Sequence, residues 1–123
     1  MAEQPTIRPA TPEDAARCGQ IAVDAWRCVF ESWRDLIGDA LWDRLFSDWE
    51  ERKRASVVSQ VRDHPAHAIV TEHGGQTVAF LTWRLHLERA VGEISNNAVD
   101  PAHQGSGIGT AQVRWVLDHF RAS

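Results

Sequence analysis

Tyrosine is absent from this chain, lysine and methionine occur once each, and cysteine occurs twice. Without tyrosine there is no phenol to serve as a general acid. No run of about 18 or more apolar residues exists, so no membrane partner or spanning helix is expected. The opening Met1–Pro5 lacks a basic stretch followed by an apolar one, the mark of a secretory leader. Cys18 and Cys28 fall in one expected helix, about 15 Å apart by helical rise. A disulfide needs Cα atoms within about 7 Å. Both are therefore expected as free thiols and small core residues, which suits a reducing compartment and a cytoplasmic location. Positive charge is also short: 13 Lys and Arg face 17 Asp and Glu, a net charge of −4. That balance argues against a nucleic-acid partner and is compatible with a cationic substrate. His64-Pro65-Ala66-His67 has no third ligand nearby, so no metal site is expected. Repeats and low-complexity tracts are missing as well.

What remains is ordinary soluble composition, 43% hydrophobic and 24% charged over 123 residues. It suits a single domain spanning 1–123. Ile7-Arg8 reads as a short strand, and Thr11-Pro12-Glu13-Asp14 as a helix start with an N-cap, a first-turn proline and acids facing the dipole. Cys18, Ile21, Ala22, Ala25 and Val29 recur at helical spacing, with Trp26, Phe30 and Trp33 on a neighbouring stripe. Gly38-Asp39 reads as a break before a second helical pattern carrying Trp42, Leu45, Phe46 and Trp49. His64-Pro65 ends the helical region. The period then changes to two. Ala68–Thr71 reads as a strand, His73–Gln76 as a hairpin turn and Thr77–Leu87 as a long strand. In that strand the face carrying Ala79, Leu81, Trp83, Leu85 and Leu87 is the apolar one. Gly92–Val99 is a further strand. A last helix carries Val113, Val116, Leu117 and Phe120. The order is β-α-α-β-β-β-α. The fold class is α+β, with a mixed, mostly antiparallel sheet flanked by helices.

The richest stretch is Val99-Asp100-Pro101-Ala102-His103-Gln104-Gly105-Ser106-Gly107-Ile108-Gly109-Thr110-Ala111. Here a strand runs through a glycine-rich turn into a helix. Bare backbone N–H groups and the positive end of a helix favour a phosphate group. A P-loop would need Gly-Lys-Ser/Thr, and this stretch holds no lysine. A dinucleotide fingerprint would need Gly-x-Gly-x-x-Gly and a downstream acid, which the spacing of Gly105, Gly107 and Gly109 does not provide. A tight structural turn without a ligand would not need three glycines, each less favourable than alanine by about 0.5–1 kcal/mol in regular structure.

Gln104-Gly105-Ser106-Gly107-Ile108-Gly109 resembles the Gln/Arg-x-x-Gly-x-Gly/Ala motif of the GNAT (Gcn5-related) N-acetyltransferase family. Val99-Asp100-Pro101 is similar to that family's usual strand exit, and Ile7–Asp14 to its opening strand and helix start. The resemblance covers essentially the whole chain. It implies an acyl-CoA N-acyltransferase-like fold, acetyl-CoA as cosubstrate, and a small-molecule or peptide amine as acceptor. Carried over by motif position, the backbone of Gly105, Ser106, Gly107, Ile108, Gly109 and Thr110 holds the pyrophosphate, braced by Gln104. The strand end Asn97-Ala98-Val99 pairs with the pantetheine arm and polarises the thioester carbonyl.

An ammonium cannot attack a thioester. An amine of pKa about 10.4 is only about 0.04% neutral at pH 7, a penalty near 4.6 kcal/mol. A base acting through water is therefore useful. Glu93, on the strand leading to the loop, is the candidate, with Asn96 orienting water or substrate. Arg84 and His86 on the facing strand are placed to line the same cleft. The family caps its acceptor site with the first two helices, which implicates Trp26, Phe30 and Trp33 in acceptor binding.

The chain departs from the family pattern in one direction. The usual strand, helix and strands after the last helix have no counterpart, and the tyrosine often placed there as general acid is absent. The expectation is a C-terminally short domain with an open strand edge at 93–99, available for a homodimer. The alternative reading is a catalytically inactive CoA-binding or dimerisation module on the same fold.

Overall fold

Two prolines bracket the first turn of the chain. In the computed structural model, which describes residues 4–122, strand β1 (Thr6–Pro9) ends at the first of them. Pro12 opens a 3-10 turn, Pro12–Asp14, that leads into helix α1 (Ala15–Ile37). Asp14 reaches back to accept the Thr11 N–H at 2.8 Å. Its carboxylate also takes both terminal nitrogens of Arg8 at 2.9 Å, while Arg8 Nε donates to Glu72 at 2.8 Å. One guanidinium thus ties the first two strands to the start of α1. The Arg8 hydrogen bond holds the Asp14 carboxyl below the usual range.

The helical region holds three helices where the sequence pattern suggested two. Gly38, at φ +84°, ends α1, and α2 (Asp39–Leu45) starts at the next residue. Phe46 leaves helical conformation, and α3 (Trp49–Asp63) follows. A 3-10 turn at Pro65–His67 feeds strand β2 (Ala68–His73), then β3 (Gln76–His86) and β4 (Val91–Val99). The β2–β3 hairpin closes through Gly74 and Gly75, both at positive φ, as the paired turn of such hairpins requires. Helix α4 (Ile108–Ala122) comes last. Among the described residues the sheet is antiparallel throughout, in the order β1-β2-β3-β4. No helix there is long and apolar enough to cross a membrane.

The sheet is covered on both faces, which the alternation in β3 did not indicate. Helices α1 and α3 pack Cys18, Ile21, Ala22, Val57 and Val61 against Val70, Phe80 and Ala98. On the other face α4 packs Val116 against Ile69, Leu81 and Trp83, and Ile108 against Val78 and Ala79. Residues 78–83 are therefore buried on both sides, while Leu85 and Leu87, expected in the apolar row, lie exposed beyond the helices. Burying Phe80 and Leu81 on opposite faces contributes about 1.5–3 kcal/mol each. Cys18 is buried, which pushes its thiol up to about 12. Cys28, expected inside, is exposed on the same helix, and both are free.

Strand β4 lies at the sheet edge, and it is irregular. Thr82 faces Asn96 while Trp83 faces Ile94, so Ser95 is an extra residue in β4. A bulge of this kind re-aims side chains. Ser95 and Asn96 both turn toward α3: the Ser95 hydroxyl accepts from Gln60 Nε2 at 2.8 Å and lies 2.9 Å from the Thr82 hydroxyl.

Candidate active site

At the C-terminal end of β4 the chain is held by several side chains before it enters the glycine turn. Asp100 N–H donates to Val78 O at 2.8 Å, which extends the β3–β4 ladder by one bond. The Asp100 carboxylate accepts the Ala102 N–H at 3.0 Å and Arg17 Nη2 at 2.8 Å. Those bonds, the Ala102 N–H first, hold its carboxyl below the usual range. Arg17 also donates to Thr77 O at 2.9 Å, so α1 is buckled to the strand exit. Gln104 Nε2 donates back to Val99 O at 3.2 Å, and the Ser106 hydroxyl to His103 O at 2.8 Å.

Gly105 and Gly107 stand at φ +86° and +84°. Nothing lies within 4 Å of where a Cβ would be at either, so backbone conformation, not crowding, calls for glycine. Gly109 is different: it is helical, and its Cβ position has only ordinary contacts at 3.7 Å with Asn97 and Val99. The first bond of α4 runs from Ala111 N–H to Gly107 O at 3.0 Å. The N–H groups of Ile108, Gly109 and Thr110 thus have no acceptor within the helix, and the helix dipole adds positive potential at the same point. This is the physical requirement for an anion site.

Gln112 sets where that helix start sits, and the sequence pattern did not single it out. It is completely buried. Its Oε1 accepts the Thr71 hydroxyl at 2.8 Å, while Nε2 donates to Phe80 O at 3.0 Å and to Asn97 Oδ1 at 2.9 Å. Asn97 Nδ2 in turn donates to Gly109 O at 3.2 Å. One network joins β2, β3, β4 and the first turn of α4. The available signal was spacing: Ile108, Gln112 and Val116 form the buried i, i+4, i+8 row, whereas the expected core residue Leu117 is 41% exposed.

The remaining sequence candidates distribute as follows. Ala98 is buried, Val99 packs beside Ile108, and Gln104, Ser106 and Thr110 are exposed on the loop and first helical turn. Glu93 is exposed at the other end of β4 and pairs with His86 Nε2 at 3.0 Å; that hydrogen bond lowers its pKa. Arg84 faces Glu93 across the strands and lines a cleft of about 500 Å³ together with Gln60, Asp63, His64 and His67. Among the described residues no three His, Cys, Asp or Glu side chains converge as metal ligands. Asn96 is fully engaged: Nδ2 donates to Thr82 Oγ1 at 2.9 Å and Gln60 Oε1 at 3.2 Å, and Oδ1 accepts Lys53 Nζ at 3.0 Å. Phe30 is the hub of an aromatic cluster, stacked on Trp49 at 4.3 Å and ringed by Trp26, Trp33, Trp42 and Phe46. Of the three acceptor candidates, Trp26 is the one that Lys53 touches, with Lys53 Nζ 5.2 Å over its ring.

The profile of the acetyltransferase (GNAT) family matches residues 21–123. The chain belongs to that family. Among solved structures, the GNAT domain is similar to the PaiA N-acetyltransferase of Thermoplasma acidophilum in complex with coenzyme A. The TM-score is 0.74 at 11% identity, over 98% of this chain and 74% of that one. It is also similar to a GNAT family acetyltransferase of Brucella melitensis in complex with acetyl-CoA, at TM-score 0.67 and 24% identity, over 97% and 70%. The diaminobutyrate acetyltransferase EctA of Paenibacillus lautus, in complex with L-2,4-diaminobutyric acid and coenzyme A, matches at TM-score 0.62 and 14% identity, over 95% and 58%. No curated protein sequence matches this chain. The fold expected from the glycine motif is thus the fold observed.

Proposed function

We propose that this GNAT domain binds acetyl-CoA along β4 and transfers its acetyl group to a primary amine. The observation that carries the reading is the junction of β4 and α4. Two positive-φ glycines there deliver a helix N-terminus to the end of an edge strand. The backbone N–H groups from Gly105 to Thr110 take the pyrophosphate, and Gln104 keeps the loop closed on Val99. Asn97, Ala98 and Val99 offer their outer backbone edge to the pantetheine arm, and an N–H of that edge polarises the thioester carbonyl.

The acceptor comes from the α1–α3 side, past Trp26, with Phe30 and Trp33 forming the wall behind it. Glu93, kept ionised by His86, accepts the ammonium proton through water; the freed amine attacks the carbonyl carbon, and as the C–S bond breaks the nitrogen's second proton passes through water to the departing CoA thiolate. We place the reaction in the cytoplasm, where Cys18 and Cys28 stay reduced.

Calorimetry with CoA and a thiol-release assay with acetyl-CoA and an amine panel test the reading. Gly107→Glu adds a carboxylate and a strained φ at the loop and should abolish CoA binding. Binding unchanged by Gly107→Glu would show that the loop is not the CoA site. CoA binding without thiol release for any amine would leave a binding module in place of an enzyme.

A further inference from the structure

Lys53 is the single lysine of the chain. It is half-buried on α3, its Nζ 3.0 Å from Asn96 Oδ1 and 5.2 Å over the Trp26 ring. Arg8, Arg17 and Arg27 all reach carboxylates. Lys53 makes no ion pair among the described residues; an amide oxygen and a π face are what it is offered. Asn96 cannot turn away to serve another group, because Thr82 and Gln60 take both of its N–H bonds. Asn96 sits opposite Thr82 in the regular part of the ladder, two residues before Ala98, so ordinary strand alternation puts it on the α1–α3 face. The ammonium is therefore held at a set position on the α1–α3 side of the edge strand, with one strong interaction left unmade.

We propose that Lys53 is an anion-binding subsite for the acceptor, and that the acceptor is an amine that also carries a carboxylate. The inference rests on the reading above, in which the acceptor meets the acetyl group beside β4. An acceptor amine is itself cationic before it loses its proton, so Lys53 repels that end of the molecule. A carboxylate elsewhere on the acceptor meets Lys53 Nζ in a charge-assisted hydrogen bond and leaves the amine pointing away from it. Trp26 supplies an apolar wall between the two ends. Burial lowers the Lys53 pKa, the shift that a bound carboxylate would reverse. Polyamines, which bring a second cation to the same place, are disfavoured.

Because Lys53 is the single lysine, protein grown on isotope-labelled lysine gives one side-chain signal, which reads the subsite without turnover. Two series remove the carboxylate stepwise: L-lysine, L-lysinamide and cadaverine; L-alanine, L-alaninamide and ethylamine. The acids of at least one series should displace the Lys53 signal, and their carboxamides and amines should not. In the thiol-release assay Lys53→Met should raise KM for the acids over that for the carboxamides by about 10- to 100-fold, the range of a lost hydrogen bond to a charged group. Lys53→Arg should keep part of the preference for acids.

A Lys53 signal indifferent to the acids, or displaced equally by the carboxamides, overturns the subsite. If thiol release persists in that case, the transferase reading stands without it. If CoA fails to bind while the acids still displace the signal, the anion site stands and the transferase reading falls.

Discussion

The two ends of β4 are built by different means. At its C-terminal end the surface is made by backbone: glycine conformation and free N–H groups form it, and the side chains of Gln104, Asn97 and Gln112 serve as braces. At the bulge end the surface is made by side chains. Lys53, Gln60, Thr82, Ser95 and Asn96 come from α3, β3 and β4 and are held by one another. The first kind suits a part of the ligand that never changes, a pyrophosphate. The second suits a part that differs from one acetyltransferase to the next, the acceptor.

The sharpest way to break this division is at the bulge end. Glu93→Gln is expected to lower kcat by about 100- to 10,000-fold, the usual contribution of a general base, with CoA affinity by calorimetry unchanged. Since His86 keeps Glu93 ionised below the ordinary carboxylate pKa, the acid limb of the wild-type pH–rate profile should lie below the usual glutamate value near 4.3. An unaltered kcat would remove Glu93 from the chemistry.

The braces of the loop end come next. Gln112→Leu strands the Thr71 hydroxyl, the Phe80 carbonyl and the Asn97 side chain. It should cost about 2–4 kcal/mol in urea unfolding and weaken CoA binding as α4 loosens. Full stability in that variant would mean that the network is not what seats the helix.

The glycines sharpen the comparison further. Ala at Gly105 or Gly107 should cost about 1–2 kcal/mol each through left-handed strain, seen as roughly tenfold weaker CoA binding. Gly109→Ala should leave binding intact and raise stability by up to about 1 kcal/mol. Equal effects at all three positions would show that the loop reads space, not conformation.

The smallest expected effect lies away from both ends. Asp14 has a depressed folded pKa, so its stabilisation is complete above the unfolded value near 3.9 and is lost as pH falls through the folded value. Asp14→Asn should remove about 1–2 kcal/mol at neutral pH, the half-exposed Arg8 pair being discounted for solvent. It should flatten the acid part of the stability profile while leaving CoA affinity alone.

Much of this was legible along the chain. Helical and strand periods placed most of the elements, and the Gln104–Gly109 motif, with Val99-Asp100-Pro101 and Ile7–Asp14, pointed to the family, because a glycine turn and its flanks stand in consecutive residues. Period-two alternation misjudged β3, since a strand between two helix layers has no polar face over residues 78–83. Gln112 went unremarked because a glutamine at a buried helical position looks like a surface residue until its three partners are known. Lys53 gave no local signal, being one charge in the run Glu50–Arg54.

By itself the sequence determined the class of fold and the glycine turn, both of which depend on neighbours within one turn or one strand. Only the tertiary structure decided that α4 is hung from the sheet by Gln112, that Asn96 meets Lys53, 43 positions away along the chain, and that an extra residue in β4 brings Ser95 to the same α3-facing side. Those contacts depend on strand register and helix placement, and no local pattern of residues records either.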